Sequence, residues 1–387
     1  MPYLSRYPKR GYCLGIRLAA GIIFLAITLF SMNGLGNNYA PSQQQVVLKS
    51  TNSTVTCPSE PIANLGCTLF FDKRFSRDHT ISCGSCHRPD LAFADGKAKA
   101  EGIEGQTGTR NTPSLFNASY TQDKFWDGRR TSLTEQVLDP FTNPREHGLD
   151  NQDQLLGRFK AAEDYTNAFI AAFNQGLSQA TANNLAQALT AYVISLKPQG
   201  TTLDRFLAKQ DKSALSAAEK NGLELFRGRA QCANCHTLDD TNASLTDGSY
   251  HNRGVGFRQV MPRLAKLTKT ITAMPSEDRT LSIGNQADIA ALGRFVATLQ
   301  PADIGKFKTP SLREVAATAP YMHDGSLATL EQAVDWELYY QGQGSGHPIG
   351  ISQTERADLL AFLRALTSQH NSPSSGAPKL IVQGKYR

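Results

Sequence analysis

The sequence has no long run of charge of one sign, and this absence excludes one large class of function. Its 387 residues carry 40 lysine and arginine and 34 aspartate and glutamate residues, so the net charge is only +6. No basic block of five or more residues occurs. Proteins that bind nucleic acid usually concentrate positive charge on one face or in a tail. Nucleic acid is therefore not an expected partner.

Strand-like alternation of apolar and polar residues is scarce, and no repeat with a period of 20 to 50 residues occurs. Apolar residues recur instead at helical spacing, and the pairs Ser216 with Glu219 and Ser352 with Glu355 have the spacing of helix-starting capping boxes. The sequence therefore predicts a mostly α-helical fold. Two stretches place their apolar residues on one helical face: Leu185, Leu189, Tyr192, Val193 and Leu196, and Leu359, Leu360, Phe362, Leu363 and Leu366.

Long apolar runs are also missing, except near the N-terminus. Basic residues at positions 6, 9, 10 and 17 precede an uncharged run over 18–32, and small or polar residues follow to Ala40. This order is typical of a signal peptide. We interpret residues 1–40 as a signal peptide or an N-terminal anchor, so the chain is exported, and it contacts a membrane only if this segment stays uncleaved.

Polar segments without helical periodicity, together with proline and glycine residues that interrupt helices, indicate the domain limits. Residues 41–56 are polar and without helical periodicity, which predicts a linker, and 371–387 form a polar tail. Pro198 and Gly200 mark the best internal boundary. The predicted domains are therefore residues 57–200 and 201–370.

The two predicted domains share a motif order, which indicates an internal duplication. The tetrapeptide "TPSL" occurs at 112–115 and at 309–312, and sixteen residues after each threonine comes the glycine of "FWDG" or "MHDG". Two homologous domains in tandem explain this better than chance does. The matched positions are Gly66 with Gly222, Leu69 with Leu225, Phe70 with Phe226, Gly128 with Gly325, and Leu133 with Leu330.

Cysteine is scarce, and the positions of the seven cysteines are informative. Cys13 lies in the targeting segment. Cys57 and Cys67 could close a short disulfide in an oxidising compartment or remain two small buried residues. The other four form two C-x-x-C-H motifs: Cys83, Cys86 and His87, and Cys232, Cys235 and His236.

A C-x-x-C-H motif is typical of covalent haem attachment. Two cysteines three positions apart can each form a thioether with a haem vinyl group, and the adjacent histidine binds the iron. A zinc site is the main alternative, but its paired motifs are usually about 15 to 20 residues apart, whereas Cys86 and Cys232 are 146 positions apart. A thioredoxin-like motif is a weaker alternative, because no βαβ pattern surrounds either site. The sequence predicts two covalently bound haem c groups.

From residue 66 to 367 the chain resembles the bacterial diheme cytochrome c peroxidases and their relative, the diheme enzyme that matures methylamine dehydrogenase. The resemblance implies two c-type cytochrome domains, the first peroxidatic and the second for electron transfer, in a periplasmic protein that is often a homodimer. The motifs that carry it include "LFFDKRFS", "ISCGSCH", "TRNTPSLFNASY", "FWDGRRTSLTEQ", "NPREHG", "CANCHT" and "FKTPSLREVAATAPYMHDGSLATLEQAV".

The resemblance also implies roles for individual side chains. Trp126 would bridge the two haems, and Gln136 and Glu146 would line the peroxide side of the first haem. A carboxyl can move the proton that cleavage of the peroxide O–O bond requires, whereas an amide only donates and accepts hydrogen bonds. Without the resemblance, Glu146 would be a solvated loop acid, Gln136 an exposed helix residue and Trp126 a core residue. The repeat places Ala333 opposite Gln136, so the copies differ where two unlike haems should differ.

The resemblance further implies one calcium ion at the domain interface. Its ligands would be the side chain of Asn111 and the backbone carbonyls of Thr318 and Pro320.

Two residues that such peroxidases usually contain are missing. No histidine lies between the first C-x-x-C-H and Asn111, so we expect the first iron to keep an open position. No methionine follows "HDG" in "AVDWELYYQGQGSG", and Tyr339 or Tyr340 falls near the ligand position, where the resemblance to the maturation enzyme implies a tyrosine as the second ligand of the second iron. A phenolate would lower the potential of that haem and a thioether would raise it. Met322, Met261 and Met274 remain alternatives.

The expected function is reduction of hydrogen peroxide at the first haem, with electrons that pass through the second haem from a small cytochrome c or cupredoxin. One alternative is an oxidase like the methylamine dehydrogenase maturation enzyme, which would oxidise a protein side chain or an organic substrate. The other is a diheme electron carrier without bond chemistry.

Overall fold

Helices dominate the computed structural model, as the sequence predicts. The structure describes residues 47–49, 54–197, 200–208, 211–238 and 243–368. The predicted signal peptide or anchor at 1–40 and the predicted tail at 371–387 lie outside these residues. Within the described ranges, no helix combines the length and the apolar character that crossing a bilayer requires.

Sixteen α-helices occur in the described residues, and short 3₁₀ turns connect several of them. The helices are α1 (Pro61–Phe71), α2 (Cys83–Cys86), α3 (Leu133–Gln136), α4 (Asp139–Thr142), α5 (Gln152–Ala161), α6 (Thr166–Phe173), α7 (Ala182–Ser195), α8 (Thr202–Leu207), α9 (Ala217–Arg227), α10 (Phe257–Val260), α11 (Leu264–Ala273), α12 (Ser276–Asn285), α13 (Ala287–Ala290), α14 (Phe295–Thr298), α15 (Leu330–Ser345) and α16 (Gln353–Ala365).

The capping boxes predicted from sequence start α9 and α16. In α9 the Ser216 side chain accepts a hydrogen bond from the backbone N–H of Glu219, and in α16 Ser352 does the same for Glu355. Each glutamate carboxylate accepts in return from the backbone N–H of its serine. Local sequence alone therefore determines where these helices begin.

The predicted linker at 41–56 is not wholly a linker. Strand β1 (Val47–Lys49) pairs antiparallel with β2 (Thr54–Thr56), in a register that sets Val47 opposite Thr56. Val55 is buried in the hydrophobic core. The β-branched residues of "STVT" thus form a short strand in a stretch whose polar composition suggested none. A second small pair joins β3 (Tyr250–His251) to β4 (Phe307–Lys308).

Each half is built around one close helix pair, α1 against α7 and α9 against α16. The matched glycines explain how these helices approach. A Cβ atom at Gly66 would lie 1.9 Å from the carbonyl oxygen of Ala188, and one at Gly222 would lie 2.1 Å from that of Asp358. Any side chain would force the helices apart, so the duplicated glycines are required by packing.

Buried apolar residues form three clusters. One runs from Val55 to Val193 and a second from Leu203 to Leu366. The third lies between Val260 and Val296, in α10 to α14. This third cluster gives α10 to α14 of the second half a core of their own.

Matched backbone geometry accompanies the matched motifs. Phe125 and Met322 both adopt the left-handed conformation, at φ 65° and 72°, and Gly128 and Gly325 follow at φ 69° and 66°. Non-glycine residues rarely adopt this conformation. The "FWDG" and "MHDG" loops are therefore two copies of one turn.

Cys57 and Cys67 form a disulfide. Both side chains are buried, and the bond joins the residue after β2 to the middle of α1. The sequence left open whether Cys57 and Cys67 form a disulfide or are two unpaired buried residues, and in the structure they form the disulfide.

Candidate functional site

One cavity of about 760 Å³ is lined by both C-x-x-C-H motifs. Cys86 and His87 contribute from the first half, and Cys232, Cys235 and His236 from the second. Residues that are 146 positions apart in sequence therefore share one enclosed space.

Both motifs are held on a single helical turn. Cys83 and Cys86 are the first and last residues of α2, and the backbone N–H of His87 bonds to the carbonyl of Cys83 at 2.9 Å. In the second motif the N–H of His236 bonds to the carbonyl of Cys232, also at 2.9 Å. The turn brings each pair of cysteines and its histidine together, as covalent haem attachment requires.

The two histidines are oriented alike. His87 Nδ1 lies 2.9 Å from the carbonyl oxygen of Phe93, and His236 Nδ1 lies 2.9 Å from that of Leu245. A carbonyl can only accept, so each Nδ1 carries the proton and each Nε2 keeps a lone pair for a metal. Burial lowers the pKa of both imidazoles, which favours the neutral form that binds iron.

The four cysteines of the motifs are not in disulfides. Burial raises the pKa of Cys83, Cys86 and Cys232 to about 12, and it also raises the pKa of Cys235. Thiols bound as thioethers carry no charge and fit a buried site.

The second motif has further donor atoms beside it. Cys235, Asp247 and His251 place their ligand atoms within 4.8 Å of one another, and His251 Nε2 lies 2.9 Å from Asp247 Oδ2. This is the one such group of three or more among the described residues. One of its three members is a predicted haem anchor, so the group belongs to the same site.

Buried positive charge lines the cavity wall between the motifs. Asp127 is fully buried between Arg129, at 3.0 Å, and Arg110, at 3.6 Å, so this group carries an excess of one positive charge. Arg110 Nε and Nη1 and Arg129 Nε have no hydrogen-bond partner. Lys124 and Lys308 add two more amines to the wall. Buried unpaired donors favour an acceptor, and the two propionates of a haem would supply anionic oxygens.

Gln136 and Glu146 both line the cavity. Burial raises the pKa of Glu146 to about 7, while the charge of Arg129 and a hydrogen bond from Asn143 oppose the shift. Asn143 Nδ2 donates to Glu146 Oε1 at 2.6 Å. Glu146 is therefore not a solvated loop acid. It is a withdrawn carboxyl that exchanges its proton near neutral pH.

Helix α12 helps to form the cavity beside Glu146. Arg145 Nε donates to Asn285 Oδ1 at 2.9 Å, and the hydroxyl of Thr109 donates to the carbonyl of Ile283 at 2.6 Å. Leu281 and Thr280 of α12 line the same cavity. A segment about 140 residues away along the chain thus sets the surroundings of the first motif.

Trp126 lies where the two halves join. Its Nε1–H donates to the carbonyl of Asn111 at 3.0 Å, and its own carbonyl accepts from the N–H of Lys308 at 2.8 Å. The N–H of Asn111 in turn donates to the carbonyl of His323. In the second half, His323 is the residue that corresponds to Trp126. Trp126 also lines the cavity that both motifs share.

The three predicted calcium ligands lie on the wall of the same cavity. Asn111 Nδ2 donates to the carbonyl of Lys97 at 2.9 Å, which fixes the amide of Asn111. Its side-chain oxygen and the carbonyls of Thr318 and Pro320 are neutral oxygen donors of the kind that Ca²⁺ accepts.

Neither Tyr339 nor Tyr340, the predicted second ligands of the second iron, lines the cavity. Tyr339 is 54% exposed, and Tyr340 stacks on Trp336 with ring centroids 5.0 Å apart. The cavity face of α15 repeats at three and four residues and does not include either tyrosine. The residues of that face are Leu330, Ala333, Val334, Glu337, Leu338 and Gln341.

The three methionines that are alternative ligands of the second iron differ in their positions. Met322 lines the cavity. Met261 is 57% exposed, and Met274 packs against the third hydrophobic cluster. Neither of these two lines the cavity.

Several residues at the site were not predicted from sequence. His147 is 3% exposed, with Nε2 4.0 Å from Cys83 Sγ. Glu337 lies on the cavity wall, and the helical period that starts at Leu330 could have identified it. No pattern in the sequence indicates the buried charges of Arg110 and Arg129.

Comparison with known proteins gives consistent results. Residues 60–212 match the family described as di-haem cytochrome c peroxidase. The cytochrome-c peroxidase IdrP2 of Denitromonas iodatirespirans is 34% identical over 364 residues, which cover 91% of this chain and 92% of that protein. The methylamine utilization protein MauG of Methylorubrum extorquens is 33% identical over 313 residues, which cover 79% and 78%. A solved structure of a MauG-like protein associated with microbial copper homeostasis superposes with a TM-score of 0.64 at 29% identity, over 87% of this chain and 97% of that one.

Proposed function

Because this chain belongs to the di-haem cytochrome c peroxidase family, we propose that it is a periplasmic peroxidase that reduces hydrogen peroxide to water at its first C-x-x-C-H motif. Two electrons and two protons convert one peroxide to two waters. The electrons would come from a small cytochrome c or cupredoxin and pass through the second motif. The main support is Glu146, a titrating carboxyl on the wall of the cavity that both motifs share.

The chain's own residues fit two haem c groups. The four motif cysteines would form the thioethers, and Nε2 of His87 and of His236 would bind iron. Arg110 and Arg129, with their unpaired donors, would neutralise propionates. Bound haem supplies a redox-active iron that polarises and cleaves the peroxide O–O bond.

Glu146 would move the proton that this cleavage requires. Asn143 donates to Oε1, so Oε2 is the oxygen that takes and returns the proton. A pKa of about 7 lets the carboxyl do both at neutral pH. Gln136 would orient the peroxide oxygens through its amide, because an amide does not titrate in this range.

Trp126 would carry electrons between the halves. Its backbone is bonded to Lys308 of the second half and its indole to Asn111 of the first, so the ring is fixed at the junction. A calcium ion held by Asn111, Thr318 and Pro320 would stabilise the same junction.

A second candidate function is that of a MauG-like oxidase, which would use peroxide to oxidise a protein or organic substrate. The similarity to a MauG-like structure favours it. The absence of histidine between His87 and Asn111 would leave peroxide direct access to the first site under either function.

Two measurements test the proposal. Intact mass of the mature protein should exceed the polypeptide by two haems, and replacing Cys232 and Cys235 by Ala should remove one of them. Stopped-flow mixing of the oxidised protein with peroxide should give a direct spectral change, and reduced cytochrome c should then be oxidised catalytically. A reaction with peroxide but no turnover of any cytochrome or cupredoxin would favour the oxidase. Bound zinc, or no haem, would contradict both functions.

A further inference from the structure

We propose that Glu337, together with His236, would bind the iron of the second haem. This inference rests on the proposed attachment of haem at Cys232, Cys235 and His236. It does not depend on whether the reaction is that of a peroxidase.

Glu337 is placed for this by the periodicity of α15. The helix lines the cavity with residues at i, i+3, i+4, i+7, i+8 and i+11 from Leu330, which is a single helical face. Leu330, Ala333, Val334 and Leu338 have no ligand atoms. Only Glu337 and Gln341 on this face carry oxygen donors, and an amide binds ferric iron far less readily than a carboxylate does.

The carboxylate is held in position by Arg253. Arg253 Nε donates to Glu337 Oε2 at 2.8 Å, and its Nη2 donates to the backbone carbonyl of Glu337 at 3.1 Å. Arg253 itself lines the cavity. Because the guanidinium occupies Oε2, Oε1 is the atom left for a metal, and such an outer partner is the usual way in which a metal ligand is oriented.

The duplicated halves differ at this position. In the first half the helix is interrupted between α3 and α4, and Pro140 occupies the position that corresponds to Glu337. A proline cannot bind iron, which suits a first site that keeps an open position. In the second half α15 continues without a break to Ser345 and carries Glu337 to the cavity wall.

The other candidates are less suited. Tyr339 and Tyr340 do not line the cavity. Met322 does line the cavity, but it lies in the "MHDG" turn. The matching residue in the first half is Phe125, whose ring packs under the Arg129 guanidinium at 3.3 Å. Met322 is therefore the alternative that the experiment must separate from Glu337.

The experiment uses the full mature protein with its haems attached. Glu337→Gln should change the ferric absorption and paramagnetic resonance spectra of one of the two haems. It should also shift the midpoint potential of that haem upward, because an anionic oxygen ligand stabilises ferric iron. Glu337→Met should replace carboxylate ligation by thioether ligation, with the charge-transfer band of methionine-bound ferric haem. Since Glu337→Gln could weaken folding, this second variant is an independent test.

Glu331→Gln is the matched control. Glu331 lies on the same helix, outside the cavity face, where it pairs with Arg364. Glu331→Gln, Tyr339→Phe and Tyr340→Phe should each keep the parent spectra. Intact mass of every variant establishes that both haems are attached.

The proposal is overturned if the Glu337 variants keep both haems and the parent ferric spectra, or if Met322→Leu alone abolishes the ligation. Loss of the second haem from the parent protein would overturn it together with the proposed function. Spectra that respond to Glu337 in a protein without peroxide turnover would support the ligand and refute only the peroxidase function.

Discussion

Glu146→Gln should remove most of the peroxide turnover. The substitution keeps the shape of the side chain and an oxygen that can accept from Asn143, but it removes the titrating proton. General acid–base groups typically contribute about 10² to 10⁴ in rate, so turnover should fall by about that factor while both haems stay attached. Gln136→Ala should cost only about fivefold, because a single neutral hydrogen bond of about 1 kcal/mol is lost.

The pH dependence gives a second readout of the same group. Glu146 must be ionised to take a proton from peroxide, and burial raises its pKa to about 7. We therefore expect kcat/KM for peroxide to rise with pH up to about 7 and to level off above it. Glu146→Gln should lose this titration, because an amide has no proton to release in that range.

The contribution of Glu146 to folding stability should fall as pH rises, whereas its contribution to turnover should rise. The folded chain holds the Glu146 proton more tightly than the unfolded chain, in which the carboxyl has its ordinary pKa of 4.5. Stability from this group is present below pH 4.5 and is lost as pH rises to about 7, and the loss is on the order of 3 kcal/mol. Relative to wild type, Glu146→Gln should therefore gain stability at pH 8 while it loses activity.

The assay is steady-state peroxide reduction with reduced cytochrome c between pH 5 and 9, together with chemical unfolding at pH 5 and pH 8. Glu163→Gln is the control, because Glu163 is an exposed glutamate of the same half that does not line the cavity. Unimpaired turnover in Glu146→Gln, or a variant that keeps the wild-type pH profile, would refute the shuttle.

The remaining predictions concern electron transfer and packing. Trp126→Phe should slow electron transfer from the second haem to the first at least tenfold without loss of either haem, as measured by stopped-flow reduction, and an unchanged rate would remove Trp126 from the path. Replacing both Cys57 and Cys67 by Ala should lower the free energy of unfolding by about 2 to 3 kcal/mol, because a short closed loop is released. Equal stability of the variant and the wild type would contradict this. Gly66→Ala should destabilise the first half by at least 2 kcal/mol, since its Cβ would overlap a carbonyl oxygen, whereas Gly157→Ala, where nothing lies within 4 Å, should not destabilise.

The sequence by itself determined the features whose chemistry is local. The spacing of Cys83, Cys86 and His87 fits one helical turn, so haem attachment could be predicted without knowledge of the fold. The capping box at Ser216 and the duplicated glycine at 66 likewise act through neighbours a few positions away or through one repeated contact. The family resemblance rests on many such short motifs together.

Which side chains meet at the cavity depends on the packing of the whole chain. Tyr339 and Glu337 are two positions apart, and the resemblance favoured the tyrosine, but the orientation of α15 places Glu337 on the cavity wall and leaves Tyr339 54% exposed. The raised pKa of Glu146 has the same origin, because its withdrawal from solvent depends on packing between distant segments, such as the bond from Arg145 to Asn285. The burial of a side chain and the direction in which it points depend on the packing of the whole chain, so a local sequence pattern does not determine them.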